Sequence, residues 1–481
     1  MKLVFHGHDE RYVVEQSLMN LFPGELPVYE PIQPGDGSWA VISLEEPEDL
    51  CRVTVSLCRD GRTAARTYEE PLSGDDFQRE GQRRHAVGAC FFLAARDLTG
   101  ATPPWGMLTG VRPDKPVTWA LEAGKSPEEA QAYLEQHYFV TPSRASLALE
   151  TGATAAKAAR RLEKRDIDVY VGIPFCPTRC AYCSFVSQSV ERSFALVPPY
   201  VDALCAEITA GGEMVRRAGL RVRTFYMGGG TPTTLTAEQM DRVLTAFETS
   251  FDRVACTEIT VEAGRPDTIT REKLLAIRAG GGNRISVNPQ TMSDPVLAAI
   301  GRSHRAADIR RAYALAREVG GLAINMDLIA GLPGDTPQGF RQTLEEVMAL
   351  APENLTVHTL ALKKGARLRQ EDTPLPTGNQ VAAMLDDAWA ALEAGGYAPY
   401  YLYRQKFMSG ALENVGWTRP GYVNQYNICM MEELHTVLSL GAGGVTKFVE
   451  NGVVRRMANP KYPQEYLRTI DTIRAEKAAW V

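Results

Sequence analysis

The chain has 481 residues, is 44% hydrophobic and 23% charged, and carries a formal net charge of −6. That length exceeds one ordinary core and predicts two or three domains of soluble globular type. The acidic balance argues against a nucleic-acid or membrane-surface protein, no apolar run reaches the roughly 18 residues of a membrane span, and MKLVFHGHDERYVV shows no signal peptide, so a cytoplasmic protein is expected.

Residues 1–150 mix strand-like runs such as WAVISL and CRVTVSLC with helical stretches such as RHAVGACFFLAARDL, which predicts a small N-terminal α+β domain. Within it, TPPWGMLTGVRPDKP is too rich in Pro and Gly to continue as helix and is expected to form an ordered loop or recognition element. The Ala/Arg/Lys-rich stretch TAAKAARRLEKR leads out of this region. From Asp166 the pattern changes to strand-like runs, DVYVGI, RTFYM, TEITVEA, RISVN, LAINMDLI and LTVHTLAL, alternating with segments of helical periodicity. Six such units predict a parallel α/β sheet with right-handed crossovers, an open or partial (β/α)6 barrel over residues 166–377. A C-terminal αβ extension, 378–481, starts with the helical GNQVAAMLDDAWAALEAGG and continues through the Tyr-rich YAPYYLYRQKFM.

The first predicted strand runs into VYVGIPFCPTRCAYCSF, where Cys176, Cys180 and Cys183 fall within eight residues. The other six cysteines are scattered, as reduced core cysteines are. In parallel α/β barrels, function sits on loops at the carboxyl ends of strands, and this loop holds such a position. Three thiolates spaced C-x3-C-x2-C suit one iron–sulfur cluster and, less well, a metal ion; structural zinc takes a second pair of ligands, which the sequence lacks. The intervening Pro, Thr and Arg argue against three core cysteines clustered by chance. A [4Fe–4S] cluster on three cysteines leaves one iron open to a substrate or cofactor.

The glycines of GGGTP, Gly228 to Pro232, follow the second strand and allow close backbone approach to a ligand, though a tight turn alone would also use them. Glu262 ends the third predicted strand, Gln290 follows the fourth, Asp327 lies in the fifth and Ala361 ends the sixth, so all four are expected at one end of the barrel. A carboxylate at a strand end can simply cap a helix. For Asp327, between NM and LIAGL, that is a poor account, because an unpaired buried charge is costly.

The cysteine spacing, with an aromatic residue before the third cysteine, resembles the radical S-adenosylmethionine (SAM) superfamily. GIPFCPTRCAYCSF, YMGGGTPTTL, ITVEAGRPDTI, NRISVNPQTM, IGRSH and NMDLIAGLPGDTP together resemble the oxygen-independent coproporphyrinogen III oxidase family. EAGRPDT, VNPQTM and YYLYRQKFM…LENVGW look most like its coproporphyrinogen dehydrogenase (HemZ) branch, which also has an N-terminal domain. The resemblance implies a [4Fe–4S] cluster on the three cysteines and SAM contacts at Tyr170, Tyr182, Gly229, Gly230, Thr231, Glu262, Gln290, Arg302, Asp327 and Ala361. The carboxylates would answer the ammonium and sulfonium charges, and Arg302 the methionine carboxylate. It further implies radical oxidative decarboxylation of two propionates of a tetrapyrrole, with an electron-donor protein such as a flavodoxin or ferredoxin as partner.

A substrate with four carboxylates needs cations, and Lys363, Lys364, Arg367, Arg404 and Lys406 are candidates, although each is as readily an ordinary solvated charge. His304 and His358 are candidates to line the site. Where the oxidase proper carries one more cysteine after the cluster ligands, this chain has Phe185, a form shared with the related haem chaperones. Those chaperones carry a His-Asn-x-x-Tyr-Trp segment. The nearest stretch here reads Gln425-Tyr426-Asn427 without that histidine, which favours the enzyme over a haem chaperone or a radical SAM methyl- or alkyl-transferase.

Overall fold

Strict alternation of apolar and polar residues builds the first sheet. The computed structural model describes residues 1–22, 24–184, 188–363, 365–369, 373–405, 408–450 and 452–479. The chain divides into two compact units, Met1–Leu149 and Glu150–Val481. In the first unit, β1 (Lys2–His6), β2 (Ser38–Glu45), β3 (Leu50–Arg59) and β4 (Arg62–Pro71) form a sheet in that order, with β1 parallel to β2 and the other pairs antiparallel. Val53, Val55 and Leu57 of β3 turn inward beneath the helix Asp76–Thr99, whose Phe91 and Phe92 fill the core. A capping box between Asp75 and Gln78 starts that helix, and left-handed Gly100 stops it. The loop expected around TPPWGM is ordered about the buried Trp105.

In the second unit the strands are β5 (Asp166–Ile173), the short β6 (Phe175–Cys176) and β7 (Gln188–Ser189), β8 (Arg221–Gly229), β9 (Glu258–Glu262), β10 (Arg284–Ser286), β11 (Ala323–Ala330) and β12 (Asn354–Thr359). They continue with β13 (Ala398–Tyr403), β14 (Asn414–Thr418), β15 (Thr436–Leu440), β16 (Val445–Glu450) and β17 (Val453–Ala458). The six expected parallel strands lie side by side in chain order, β5-β8-β9-β10-β11-β12, within a sheet whose edges are β13 and β17. Two features exceed the expectation. β15 adds a seventh parallel strand beside β5, and residues 398–458 extend the sheet at both edges, with antiparallel β14 and β13 at one and β16 and β17 at the other.

The strands' alternation separates two faces. On β5, Ile167, Val169, Val171 and Ile173 are fully buried apolar residues, whereas Asp168 and Tyr170 face the concave side. The same face receives Thr224, Tyr226, Glu258, Glu262, Arg284, Asn325, Asp327 and Thr356, tied by hydrogen bonds within and between strands and by the Arg284–Glu258 ion pair at 3.6 Å. This polar interior is plugged by the helix Gln425–Glu432. Glu258 accepts from the backbone N–H groups of Gln425 (3.1 Å) and Tyr426 (3.3 Å), and the Tyr426 ring stacks on Tyr226 at 4.4 Å. The plug occupies the amino-terminal part of the barrel and leaves the carboxyl ends of the strands to the site.

One buried ion pair fastens the C-terminal helix Pro463–Ala478 to this frame. Glu207, in the helix Val197–Arg217, accepts from Gly441 N (2.7 Å), Tyr466 Oη (2.6 Å), Asn459 Nδ2 (3.1 Å) and the Lys477 ammonium. Burial pushes the Lys477 pKa down, and Glu207 opposes that push. Glu207→Ala leaves the ammonium buried without its carboxylate and is expected to cost about 3–5 kcal/mol, read as a fall in the urea midpoint. A midpoint within error of the parent would show that Lys477 escapes to water.

Candidate active site

β5 ends at Ile173, and Pro174 releases the chain into the cysteine loop, which the short parallel pair β6–β7 closes at Phe175↔Gln188 and Cys176↔Ser189. Cys176, Cys180 and Cys183 are all partly exposed on this loop. Loops from distant strands hold it: Ala181 N donates to Ile300 O (2.9 Å), Leu368 N donates to Ala181 O (3.0 Å), and Arg179 Nη2 donates to Gly365 O (2.8 Å). Two buried guanidinium groups stand behind the thiols. Arg265 pairs with Asp267 through two 3.0 Å bonds, donates to Thr178 Oγ1 (3.1 Å) and comes within 3.9 Å of Cys180 Sγ. Arg302 donates to Asn288 O (2.8 Å) and to Tyr182 Oη (3.0 Å). Positive charge beside thiols favours the thiolates that ligate iron.

The glycine turn after β8 lies against the same loop. Gly229 has φ +108°, a left-handed value that a side chain resists. Gly230 N donates to Ile173 O and Thr231 N to Phe175 O, both at 2.7 Å, and Thr231 Oγ1 lies 3.5 Å from Cys176 Sγ. A Cβ at Gly230 would fall 2.5 Å from Phe175 O and 3.0 Å from Cys176 Sγ. Gly230→Ala is therefore expected to push the cysteine loop aside and lower iron retention after anaerobic reconstitution. Parent-like iron content would show that the loop yields freely.

Glu262, at the end of β9, reaches this turn, and the Asp327 charge acts on it from β11, across β10. Glu262 accepts from Tyr226 Oη at 2.5 Å. Burial first, and then the nearby Asp327 charge, raise its pKa to about 7 against the opposing Tyr226 bond. Burial pushes the Asp327 carboxyl up too, but His358, Asn325 and Thr356 outweigh it and leave that carboxyl below its ordinary value. Asn325 Nδ2 donates to Asp327 Oδ1 at 2.7 Å, and His358 Nε2 stands 3.8 Å from Oδ2. Such a pair, one firmly ionised and one poised to ionise, suits a cationic ligand.

Gln290 takes φ +67°, and its N–H donates to Asp327 O at 2.9 Å while its carbonyl accepts from Ile329 N at 3.0 Å, which turns the chain inward after β10. Ala361 follows β12 and bridges to Met408. The Tyr170 ring stacks with Tyr226 at 6.2 Å, and its hydroxyl lies 3.3 Å from where a Gly229 Cβ would stand. Every one of the thirteen residues expected at the site thus lies on β5, β8, β9, β11 or the loops at their carboxyl ends and those of β10 and β12.

The substrate-side expectations fare differently. Arg404 is 8% exposed, donates to Ala411 O at 2.7 Å and is attracted by Glu413, so it is part of the protein's interior. Burial lowers its pKa to about 10. Arg404→Ala is accordingly expected to lower thermal stability rather than to act on a substrate contact, and an unchanged melting temperature would count against this. Lys364, Lys406 and Phe185 lie outside the described residues. His358 lines the site beside Asp327. His304 sits behind it, buried next to Arg302 and Arg265, its pKa lowered to about 4 by burial and by those cations. Arg265 and Tyr226 escaped the sequence reading, and Tyr426 was weighed there only against the haem-chaperone segment. Arg265 stood in the quoted EAGRPDT stretch, and Tyr226 two residues before Gly228, on the same strand face.

A parallel partial barrel with three cysteines after its first strand, a glycine turn against them and carboxylates opposite defines a radical SAM protein, and residues 170–347 match the Radical SAM superfamily. The chain is 38% identical to the oxygen-independent coproporphyrinogen-III oxidase-like protein HemZ of Bacillus subtilis, over all of this chain and 98% of that one. It is 26% identical to the heme chaperone HemW of Escherichia coli over 63% of this chain and 76% of that one. The solved structure of the coproporphyrinogen III oxidase HemN from E. coli, described as a radical SAM enzyme, superposes with a TM-score of 0.53 at 26% identity, covering 69% of this chain and 73% of that one. The protein belongs to the oxygen-independent coproporphyrinogen III oxidase-like family of radical SAM proteins. Its cofactors are a [4Fe–4S] cluster and SAM, and the site fits them: three partly exposed thiols backed by two arginines, and a buried carboxylate pair that, among the described residues, has no lysine or arginine ion pair of its own. Among the described residues no helix is long and apolar enough to cross a membrane.

Proposed function

We propose that this protein is an oxygen-independent coproporphyrinogen III dehydrogenase, which converts two propionate side chains to vinyl groups with loss of CO2 and yields protoporphyrinogen IX. The observation that carries this reading is the 38% identity to HemZ, which runs the whole length of both chains, whereas the likeness to HemW covers 63% of this one. A cluster held by Cys176, Cys180 and Cys183 would supply one electron for reductive cleavage of bound SAM, and with it the hydrogen-abstracting chemistry that a propionate arm needs before it loses CO2 and an electron. Cys176, Cys180 and Cys183 hold the cluster, and Arg265 and Arg302 offset the thiolate charge. The turn Gly229-Gly230-Thr231 receives the SAM amino group, Glu262 and Asp327 its positive charges, and Arg302, beside Tyr182, its carboxylate. Gln290, Ala361 and Tyr170 wall the pocket and exclude water.

Residues 378–481 form the substrate side in this reading. Tyr403 approaches His358 at 3.4 Å, and Met408 bridges to Ala361. With Arg404 committed to the interior, the cations for the propionates are Lys363, Arg367 and Arg369, in the loop that Leu368 and Gly365 fasten to the cysteine loop. A flavodoxin or ferredoxin serves as electron donor.

The HemW likeness supports a second reading, a haem chaperone. Against it, Tyr426 and Asn427 are engaged inside the barrel with Tyr226 and Tyr400, and the nearby His435 is paired with Asp168. Anaerobically reconstituted protein given coproporphyrinogen III, SAM and a reductant is expected to release CO2 and form protoporphyrinogen IX. Stoichiometric haem retention without turnover would replace this function with the chaperone, and an alkylated product with a transferase.

A further inference from the structure

We propose that Asp168, Cys429 and His435 form a second metal site, for one zinc-type divalent ion, at the amino-terminal end of the barrel and separate from the cluster. The three side chains come from β5, the plug helix Gln425–Glu432 and the residue before β15, and all three are buried. One carboxylate oxygen, the thiol sulfur and one ring nitrogen all lie within 4.8 Å of one another. A carboxylate, an imidazole and a thiol form a donor set of borderline softness that matches zinc in tetrahedral coordination.

The surroundings are built as an outer shell around a metal is built. Thr224 Oγ1 donates to Asp168 Oδ1 at 2.6 Å and leaves Oδ2 facing His435 Nε2 at 2.7 Å. Gln425 Nε2 donates to Cys429 Sγ at 3.3 Å. With bond lengths of about 2.0–2.3 Å, tetrahedral ligands stand roughly 3.4 Å apart, so loading requires Asp168 and His435 to separate by less than about 1 Å.

A cavity of about 860 Å3 opens at the amino ends of β9, β10 and β11, and Gln425 and Ile428 of the plug helix line it. The Gln425 side chain thus stands between that cavity and Cys429. Rotation of its amide presents Oε1 instead of Nε2 and supplies a fourth ligand. The other cluster of this type, Glu70, His85 and His137, is already satisfied: both His85 nitrogens are hydrogen-bonded, and the two imidazoles stack at 3.5 Å.

The test uses the full chain with Cys176, Cys180 and Cys183 all replaced by Ala, so that neither iron nor zinc can bind at the cluster loop. Purified in the presence of zinc, this protein is expected to hold about one zinc per chain, and its cobalt-loaded form to show a thiolate-to-metal charge-transfer band. Adding Cys429→Ser should remove that band, and His435→Gln should weaken cobalt binding by roughly tenfold or more. If either variant fails to fold, the melting temperature of the cluster-free chain decides: zinc raises it and a chelator lowers it. Binding of less than about 0.1 equivalent by folded protein, a cobalt band that survives Cys429→Ser, or a melting temperature indifferent to zinc would overturn the site and leave a buried Asp–His pair.

Discussion

Cys180→Ala protein, reconstituted anaerobically, is expected to lose the cluster outright, where the parent takes up about four irons and four sulfides per chain. A cluster on three thiolates has no spare protein ligand, and the loop that carries Cys180 is fixed from both sides by Ala181, so a neighbouring donor cannot swing in. The same loss is expected for Cys176→Ala and Cys183→Ala, and with it all reductive cleavage of SAM. Cys205→Ala is the control, because its thiol lies in the helix Val197–Arg217 and donates to Arg242 O at 3.8 Å, away from the loop. A full iron complement in the Cys180→Ala protein would remove the cysteine loop from the mechanism.

The second large effect concerns the carboxylates. Asp327→Asn keeps the shape of the side chain and one oxygen to accept from Asn325 but removes the charge, and is expected to weaken SAM binding about 10- to 100-fold, the equivalent of one charge-assisted contact of about 1.5–3 kcal/mol. The cluster absorbance should stay unchanged. Glu262→Gln should act in the same direction and also alter the pH dependence. In the ligand-free protein the Glu262 pKa is raised to about 7, so below that pH the group is largely neutral. A bound cation favours the carboxylate form, so binding at low pH must first drive off a proton. SAM affinity of the parent should therefore fall as pH drops through about 7, whereas Glu262→Gln protein should show a flatter profile. Equal slopes in the two proteins would mean that Glu262 does not face the ligand.

Much of this site was legible because its parts are short and local. The cysteine spacing and the GGGTP turn each sit within one loop, and the register Glu262↔Ser286↔Asn325 then sets Glu262 and Asp327 on a common face. Arg404 shows where this reading failed. An arginine among tyrosines reads as a tetrapyrrole contact, but burial and the carbonyl of Ala411 turn it inward. No spacing in the sequence reports which side of an aromatic segment meets solvent.

By itself the sequence determined that six strand–helix units follow Asp166 and that three thiols share one loop at the carboxyl end of the first strand. Those properties follow from periodicities of two and 3.6 residues and from chain neighbours. Only the tertiary structure decided that β15 pairs with β5, that Arg265 and Arg302 back the cysteine loop, and that Tyr426 plugs the barrel. Asp168 meets His435 across 267 positions of chain. Contacts of that kind are selected by which surfaces can be buried together and which charges can be paired once the sheet has formed, and no local pattern encodes them.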